Sequence, residues 1–293
     1  MICSVGDLVE DVVVALPGPI RLAADTPSQV SHHRGGSAAN VAAGIARLGA
    51  AARFVGRVGD DPLGDLLVAQ LRTVGAGVDV RGERAGRTGS VVVLVTPDGE
   101  RTMLNDRGAA VDLASPCAEW LDGVDAVHVP AYSLFPASAA LARATWQLRQ
   151  WSTDRAIPWT LDVSSTTLID PVGAAGFVRL IDGYAPEVLF ANADEARALE
   201  LDGDDPTVPP GVGVIVIKDG PRPARVVTRG AAAVEVAVPP PDRAVTDTTG
   251  AGDAFAAGFL VARAGGADVV EATRAGHAAA AHVVSGPGAD WWA

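Results

Sequence analysis

Lysine is all but missing from this sequence: Lys218 is the only one in 293 residues. Lysine and arginine together number 23 against 35 acidic residues, a net charge of −12. A nucleic-acid backbone requires a field of basic side chains to replace its counterions, so nucleic acid is excluded as the main partner. The deficit does not exclude a small anionic nucleotide, because backbone amides can make a local anion site. Cysteine is nearly as scarce. Cys3 and Cys117 form neither a metal-ligand spacing nor a disulfide framework, which points to a reducing compartment. The opening residues carry acid (Asp7, Glu10, Asp11) rather than base, and no apolar run is long enough for a bilayer. Membrane insertion and export are not expected, and a cytoplasmic location is.

Several motifs are absent as well. No G-x-x-x-x-G-K-[ST] loop, no H-R-D or D-F-G, and no G-x-G-x-x-G after the first apolar run occur. Walker-type NTPases, protein kinases and Rossmann dehydrogenases are thereby set aside. His32, His33, His128, His277 and His282 make no H-E-x-x-H zinc pattern. On this reading His277 and His282 are packing or interfacial residues, and Trp291-Trp292 a docked tail.

What is present is 48% apolar residues, with aromatics only 5% of the chain and 33 glycines. That suits a core of close-packed small side chains in one α/β domain with a small accessory element. Short apolar runs alternate with helix-period stretches, as in βα units around a sheet buried on both faces. Strands are expected at Ile2–Val5, Arg53–Val58, Ala126–Val129, Ile157–Asp162, Val188–Ala191 and Val214–Lys218. Helices are expected at Ser37–Leu48, Pro62–Val74, Ala137–Trp151, Ala193–Glu200, Ala251–Ala264 and Val269–Val284. Val12–Val30 and Gly89–Leu104 break the rhythm with strand-like residues and turn signals, and read as a small projecting sheet. Asp202–Pro210 reads as a surface loop.

The segment Asp247-Thr-Thr-Gly-Ala-Gly-Asp253 runs into a helix. Gly250, Ala251 and Gly252 let backbone amides approach a ligand where the helix's first donors point outward, an anion hole for a transferring phosphoryl group. Asp253, in the first turn, is placed either to accept the proton of an attacking hydroxyl or merely to cap the helix. Gly35 and Gly36 before a helix either allow close approach to a polyol, with Asn40 offering it a donor and an acceptor, or are simply the loop of a helix N-terminus with Asn40 facing solvent. Asp7, after the first strand, lies where open α/β sheets bind ligands. Asn192 and Glu195 spell a capping box, or alternatively a phosphate contact and a carboxylate orienting water around Mg²⁺.

Gly35 to Asp65 and Asp247 to Phe259 resemble the N- and C-terminal signatures of the PfkB family of carbohydrate kinases, and the resemblance covers the whole chain. It implies a ribokinase-like three-layer α/β/α sandwich with a mostly parallel sheet of eight or nine strands and a small β-sheet lid. The chain would be a single domain, 1–293, its lid drawn from about 12–34 and 88–105. The implied activity is ATP-dependent phosphorylation of a hydroxyl on a small sugar or sugar acid, with Mg²⁺ and K⁺ as cofactors and a homodimer through the lid. Asp253 matches the family's catalytic base, Gly250–Gly252 its anion hole, and Asp7, Gly36 and Asn40 its sugar contacts. Asn192 and Glu195 match its N-x-x-E motif, and Lys218 and Gly220 a strand end beside the nucleotide. Asp247 and the Thr249 carbonyl match a monovalent-cation site. Pro223 stands where a second glycine is usual, and His277 replaces an asparagine found near the adenine. Arg107 descends from the lid towards the site, where it would meet a carboxylate or phosphate, or form a surface salt bridge. A nucleoside kinase and a catalytically silent sugar- or nucleotide-binding protein are the alternatives on this fold.

Overall fold

The computed structural model describes residues 1–136, 139–203, 208–240, 245 and 248–285. A nine-stranded sheet forms its centre. The strands are β1 (Ile2–Val5), β4 (Ala52–Val58), β5 (Val78–Arg84), β8 (Ala126–Pro130), β9 (Trp159–Asp162), β10 (Val188–Asn192), β11 (Val214–Asp219), β12 (Arg222–Thr228) and β13 (Val234–Val236). Their spatial order is β13-β12-β11-β10-β9-β8-β1-β4-β5. Strands β11 to β5 in that order run parallel, while β12 and β13 add an antiparallel edge.

Period-2 alternation along these strands feeds two cores, one per face. On one face Phe54, Phe190 and Val216 pack with helices α1 (Ser37–Arg47), α2 (Pro62–Thr73), α6 (Ala251–Ala264) and α7 (Val269–Val284). On the other, Val55, Leu189, Ile215 and Trp159 pack with α3 (Ala140–Asp154), α4 (Gly173–Tyr184) and α5 (Ala193–Ala198). Helix α1 owes its depth to alanine: Ala38, Ala39, Ala42, Ala43 and Ala46 are all fully buried, so larger neighbours close over them. The result is the expected three-layer α/β/α sandwich.

A second, four-stranded sheet covers the carboxyl ends of the large one. It is built from β2 (Val9–Ala15), β3 (Gln29–Gly35), β6 (Thr88–Val95) and β7 (Arg101–Gly108), in the order β3-β2-β6-β7. The stretches that break the βα rhythm do supply it, although β3 starts where the first expected stretch ends. The chain between β2 and β3 is turn and bend rather than strand.

The expected elements recur within a few residues. Strand β9 begins at Trp159 instead of Ile157, because the Ile157 amide closes the end of α3 by bonding the Ser152 carbonyl. Helix α3 starts at Ala140, Ala139 serving as its N-cap residue. Three strands and a helix went unread: β5, β12, β13 and α4. In the expected loop, Val208 and Pro209 are buried, while 204–207 lie outside the described residues.

Candidate active site

The carboxyl ends of β1, β8, β9, β10 and β11 open on one cleft of about 1150 Å³ between the two sheets. Asp7 follows β1, Tyr132 follows β8, Asp162 and Asn192 close β9 and β10, and Lys218 is near the end of β11. Ligand clefts form at these carboxyl ends because side chains from separate strands converge there.

Asp253 lies at the middle, in the first turn of α6. Its Oδ1 accepts a hydrogen bond from Ser37 Oγ at 2.7 Å and its Oδ2 one from Asn40 Nδ2 at 3.0 Å. Asn40 in turn accepts, more weakly, from Arg34 Nη1 at 3.4 Å. Burial raises the Asp253 pKa to about 6, against the two hydrogen bonds, which lower it. A carboxylate held in place yet costly to ionise is suited to taking a proton. Asp253 does not cap the helix; Gly250 is the N-cap residue, with φ 74°, a left-handed conformation that glycine adopts without strain. The Ala251 amide already bonds the Thr248 carbonyl at 3.2 Å. Of the three amides expected in the anion hole, Gly252 is one that helix geometry leaves without an intrahelical partner, and the amide of Asp253 joins it.

The lid side of the cleft is rich in charge. Asp7 is buried, and Arg107 comes down from β7 to within 3.6 Å of it. Arg107 Nη1 donates to the Tyr132 carbonyl at 2.9 Å, and its guanidinium lies 5.7 Å from the Tyr132 ring centre. Its Nε and Nη2 and the Asp7 Oδ1 are buried without a hydrogen-bond partner. Such atoms carry a desolvation cost that a polar ligand would relieve. Arg107 is therefore no surface residue.

Asp11, on β2, also lines the cleft, and burial followed by the Asp7 charge raises its pKa to about 7. Sequence reading missed it, together with Arg34 and Asp162. The signal was there: Asp11 shares a strand face with Val9 and Val13, an apolar phase where a carboxylate is out of place. Gly36 lines the cleft, and at φ +98° an added Cβ would come within 2.4 Å of the Asp7 carbonyl. Gly35 stands back from the cleft, where its missing side chain gives the Asp11 carboxylate its space.

At the opposite end, Lys218 Nζ donates to Asp162 Oδ2 at 2.7 Å. Burial disfavours the ammonium, but Asp162 and Glu195 outweigh it and raise the Lys218 pKa. Asn192 and Glu195 complete the capping box, each side chain accepting from the other's amide at 2.8 Å. Burial, then the charge of Asp162, raises the Glu195 pKa. Among the described residues no cluster of three or more His, Cys, Asp or Glu is set to hold a metal ion. His277 is packed edge-on against Phe255 at 5.2 Å, and burial lowers its pKa. It, Gly220 and Thr249 line the cleft. Asp247, Trp291 and Trp292 lie outside the described residues.

A helix start beside a carboxylate, facing a polar pocket under a lid, defines the class of enzyme that transfers a phosphoryl group to a small alcohol. The chain belongs to the pfkB family carbohydrate kinases, whose sequence pattern matches residues 1–291. It is 34% identical over 238 residues to an ATP-dependent ribose-1-phosphate kinase from Halopiger xanaduensis, covering 77% of this chain and 72% of that one. Against fructokinase-2 of Zea mays the identity is 29% over 246 residues, 78% of this chain and 70% of the relative. The crystal structure of adenosine kinase from Sinorhizobium meliloti superposes with a TM-score of 0.84 at 24% identity, over 98% of this chain and 94% of that one. The fold is ribokinase-like and the enzyme is a carbohydrate kinase using ATP. No helix among the described residues is long and apolar enough to cross a membrane.

Proposed function

We propose that residues 1–293 form one catalytic unit in which Asp253 deprotonates a hydroxyl of a small sugar or sugar derivative. That oxygen attacks the γ-phosphorus of ATP, the bond to the β-phosphate oxygen breaks with its electron pair leaving on ADP, and the proton stays on Asp253. The amides of Gly252 and Asp253, at the positive end of α6, take up charge on the γ-phosphoryl oxygens. Asp7, Asp11, Asn40, Gly36 and Arg107 hold the sugar, and the lid excludes water.

The observation that carries this reading is the Ser37–Asp253–Asn40 bridge, which aims one costly carboxylate at the junction of a polar pocket and a helix N-terminus. The buried, unsatisfied Arg107 Nε and Nη2 favour an acceptor bearing a carboxylate or phosphate, beside hydroxyls for Asp7 and Asp11. Magnesium, carried on the nucleotide phosphates, would meet Glu195 and Asp162 through water. Asp247 and the Thr249 carbonyl are assigned to K⁺, and His277, Asn192 and Gly220 to the nucleotide. The exposed Val30 and Leu104 on the lid suit a homodimer through it, and a cytoplasmic location is assigned to the enzyme.

The test is ADP release from MgATP across neutral pentoses and hexoses, sugar acids, sugar phosphates and nucleosides, with and without K⁺. Turnover confined to acidic or phosphorylated sugars is expected. Preference for a neutral sugar retires the Arg107 assignment, and preference for a nucleoside replaces the acceptor class. Nucleotide binding with no turnover on any acceptor would turn the reading towards a silent binding protein.

A further inference from the structure

Lys218 attracts notice twice: it is the sole lysine in the chain, and it lines the cleft beside the start of α6. Its ammonium lies on the Asp162 carboxylate, and a Cβ added to Gly252 would sit 3.5 Å from it. The lysine is therefore within one atom's width of the glycine whose amide opens towards the phosphoryl group. The rings of Phe190 and Phe255 flank it, each centre 5.9 Å away. Glu195 and Asp253 add negative charge around it, and His128, itself buried, lies within the same field.

An ammonium has three donors, and Asp162 takes one of them. The remaining donors are held in a low-dielectric wall beside the anion hole, where a positive charge acts most strongly. Arginine serves everywhere else in this chain, whereas an ammonium is a compact point charge whose three donors can turn to separate acceptors.

Resting on the kinase reading above, we propose that Lys218 is a catalytic residue that donates a charge-assisted hydrogen bond to the transferring γ-phosphoryl group while Asp162 anchors its other side. As the γ-phosphorus–oxygen bond to ADP breaks and the bond to the acceptor oxygen forms, the lysine keeps its proton. It offsets the charge that spreads over the phosphoryl oxygens. Asp253, at the acceptor side, receives the only proton that moves.

A single lysine makes the test unusually clean. Protein labelled with ¹⁵N-lysine carries one side-chain ammonium signal, which needs no assignment. Saturation with the magnesium complex of β,γ-imido-ATP is expected to shift that signal strongly, and saturation with MgADP to leave it nearly in place. Binding of the imido analogue without movement of the signal overturns the proposal and leaves the kinase reading intact. Absence of binding by calorimetry overturns both. Lys218→Met strands the Asp162 charge and risks misfolding, so the Lys218→Met/Asp162→Asn pair, which removes both charges, supplies the second measurement. The wild-type preference for the imido analogue over MgADP should shrink by about tenfold or more in that pair. An unchanged preference means that the lysine only neutralises Asp162, and the proposal falls.

Discussion

The two ends of the cleft are built from different materials. The phosphoryl end is compact in sequence: Gly250 to Asp253 supplies a helix start, backbone amides and a carboxylate within four residues. The sugar end is scattered, its polar groups coming from β2, β7, the first turn of α1 and the end of β1. Backbone amides on a helix recognise any phosphate, whereas side chains on a lid sheet can be exchanged one at a time. Chemistry common to many kinases therefore resides in the first end and choice of substrate in the second.

Substitutions can break this division, and the largest effect is expected at the junction. Asp253→Asn should lower kcat by about 10³-fold, within the range for loss of a general base, while calorimetry finds ATP and sugar binding within a few-fold of wild type. Comparable loss of either affinity would mean that the carboxylate mainly positions ligands. Next, Arg107→Met should raise the sugar KM by about 30- to 100-fold, as for a buried charged contact worth roughly 2–3 kcal/mol, with the ATP KM unmoved. A shared loss in both constants would erase the distinction between the ends.

These two residues also show what could be read in advance. Asp253 and its glycines stood in one contiguous stretch, because a helix N-terminus builds its site from neighbours in sequence. The βα strands were equally visible, since strands buried on both faces are continuous apolar runs such as Val214–Ile217. Arg34 was not visible, and Asp11 showed only as a carboxylate in an apolar strand phase, because a lid sheet brings distant residues together by strand pairing. Val9–Ala15 lies beside Gln29–Gly35 and Thr88–Val95 only in the fold. Strand β12 was hidden by Arg222-Pro223 at its start, tolerated because the register with β11 shifts at that point and pairing with β13 begins only at Ala224. Asp162 was passed over because its partner, Lys218, is 56 residues away.

Smaller effects sharpen the comparison. Gly252→Ala has room for its methyl group, with Lys218 Nζ 3.5 Å away as the nearest neighbour. Folding stability should be nearly unchanged, but the methyl group would crowd the phosphoryl side and lower kcat by about tenfold, roughly 1.4 kcal/mol. A large fall in melting temperature would instead assign that glycine to packing. Glu195→Gln is expected to have the least effect on stability, because glutamine preserves the capping box. The apparent affinity for Mg²⁺ should nevertheless weaken several-fold as the charge is lost; an unchanged Mg²⁺ dependence would leave Glu195 as a cap alone.

The central claim is that Asp253 acts as a base with a raised pKa. The direct measurement is kcat/KM for ATP at saturating sugar between pH 4.5 and 8.5. A base works only when ionised, so the rate should be full above its pKa and fall tenfold per pH unit below it. With the Asp253 pKa at about 6, the account predicts half-maximal rate near pH 6, and loss of that inflection in Asp253→Asn. A flat profile down to pH 4.5, or an inflection that survives the substitution, would contradict it.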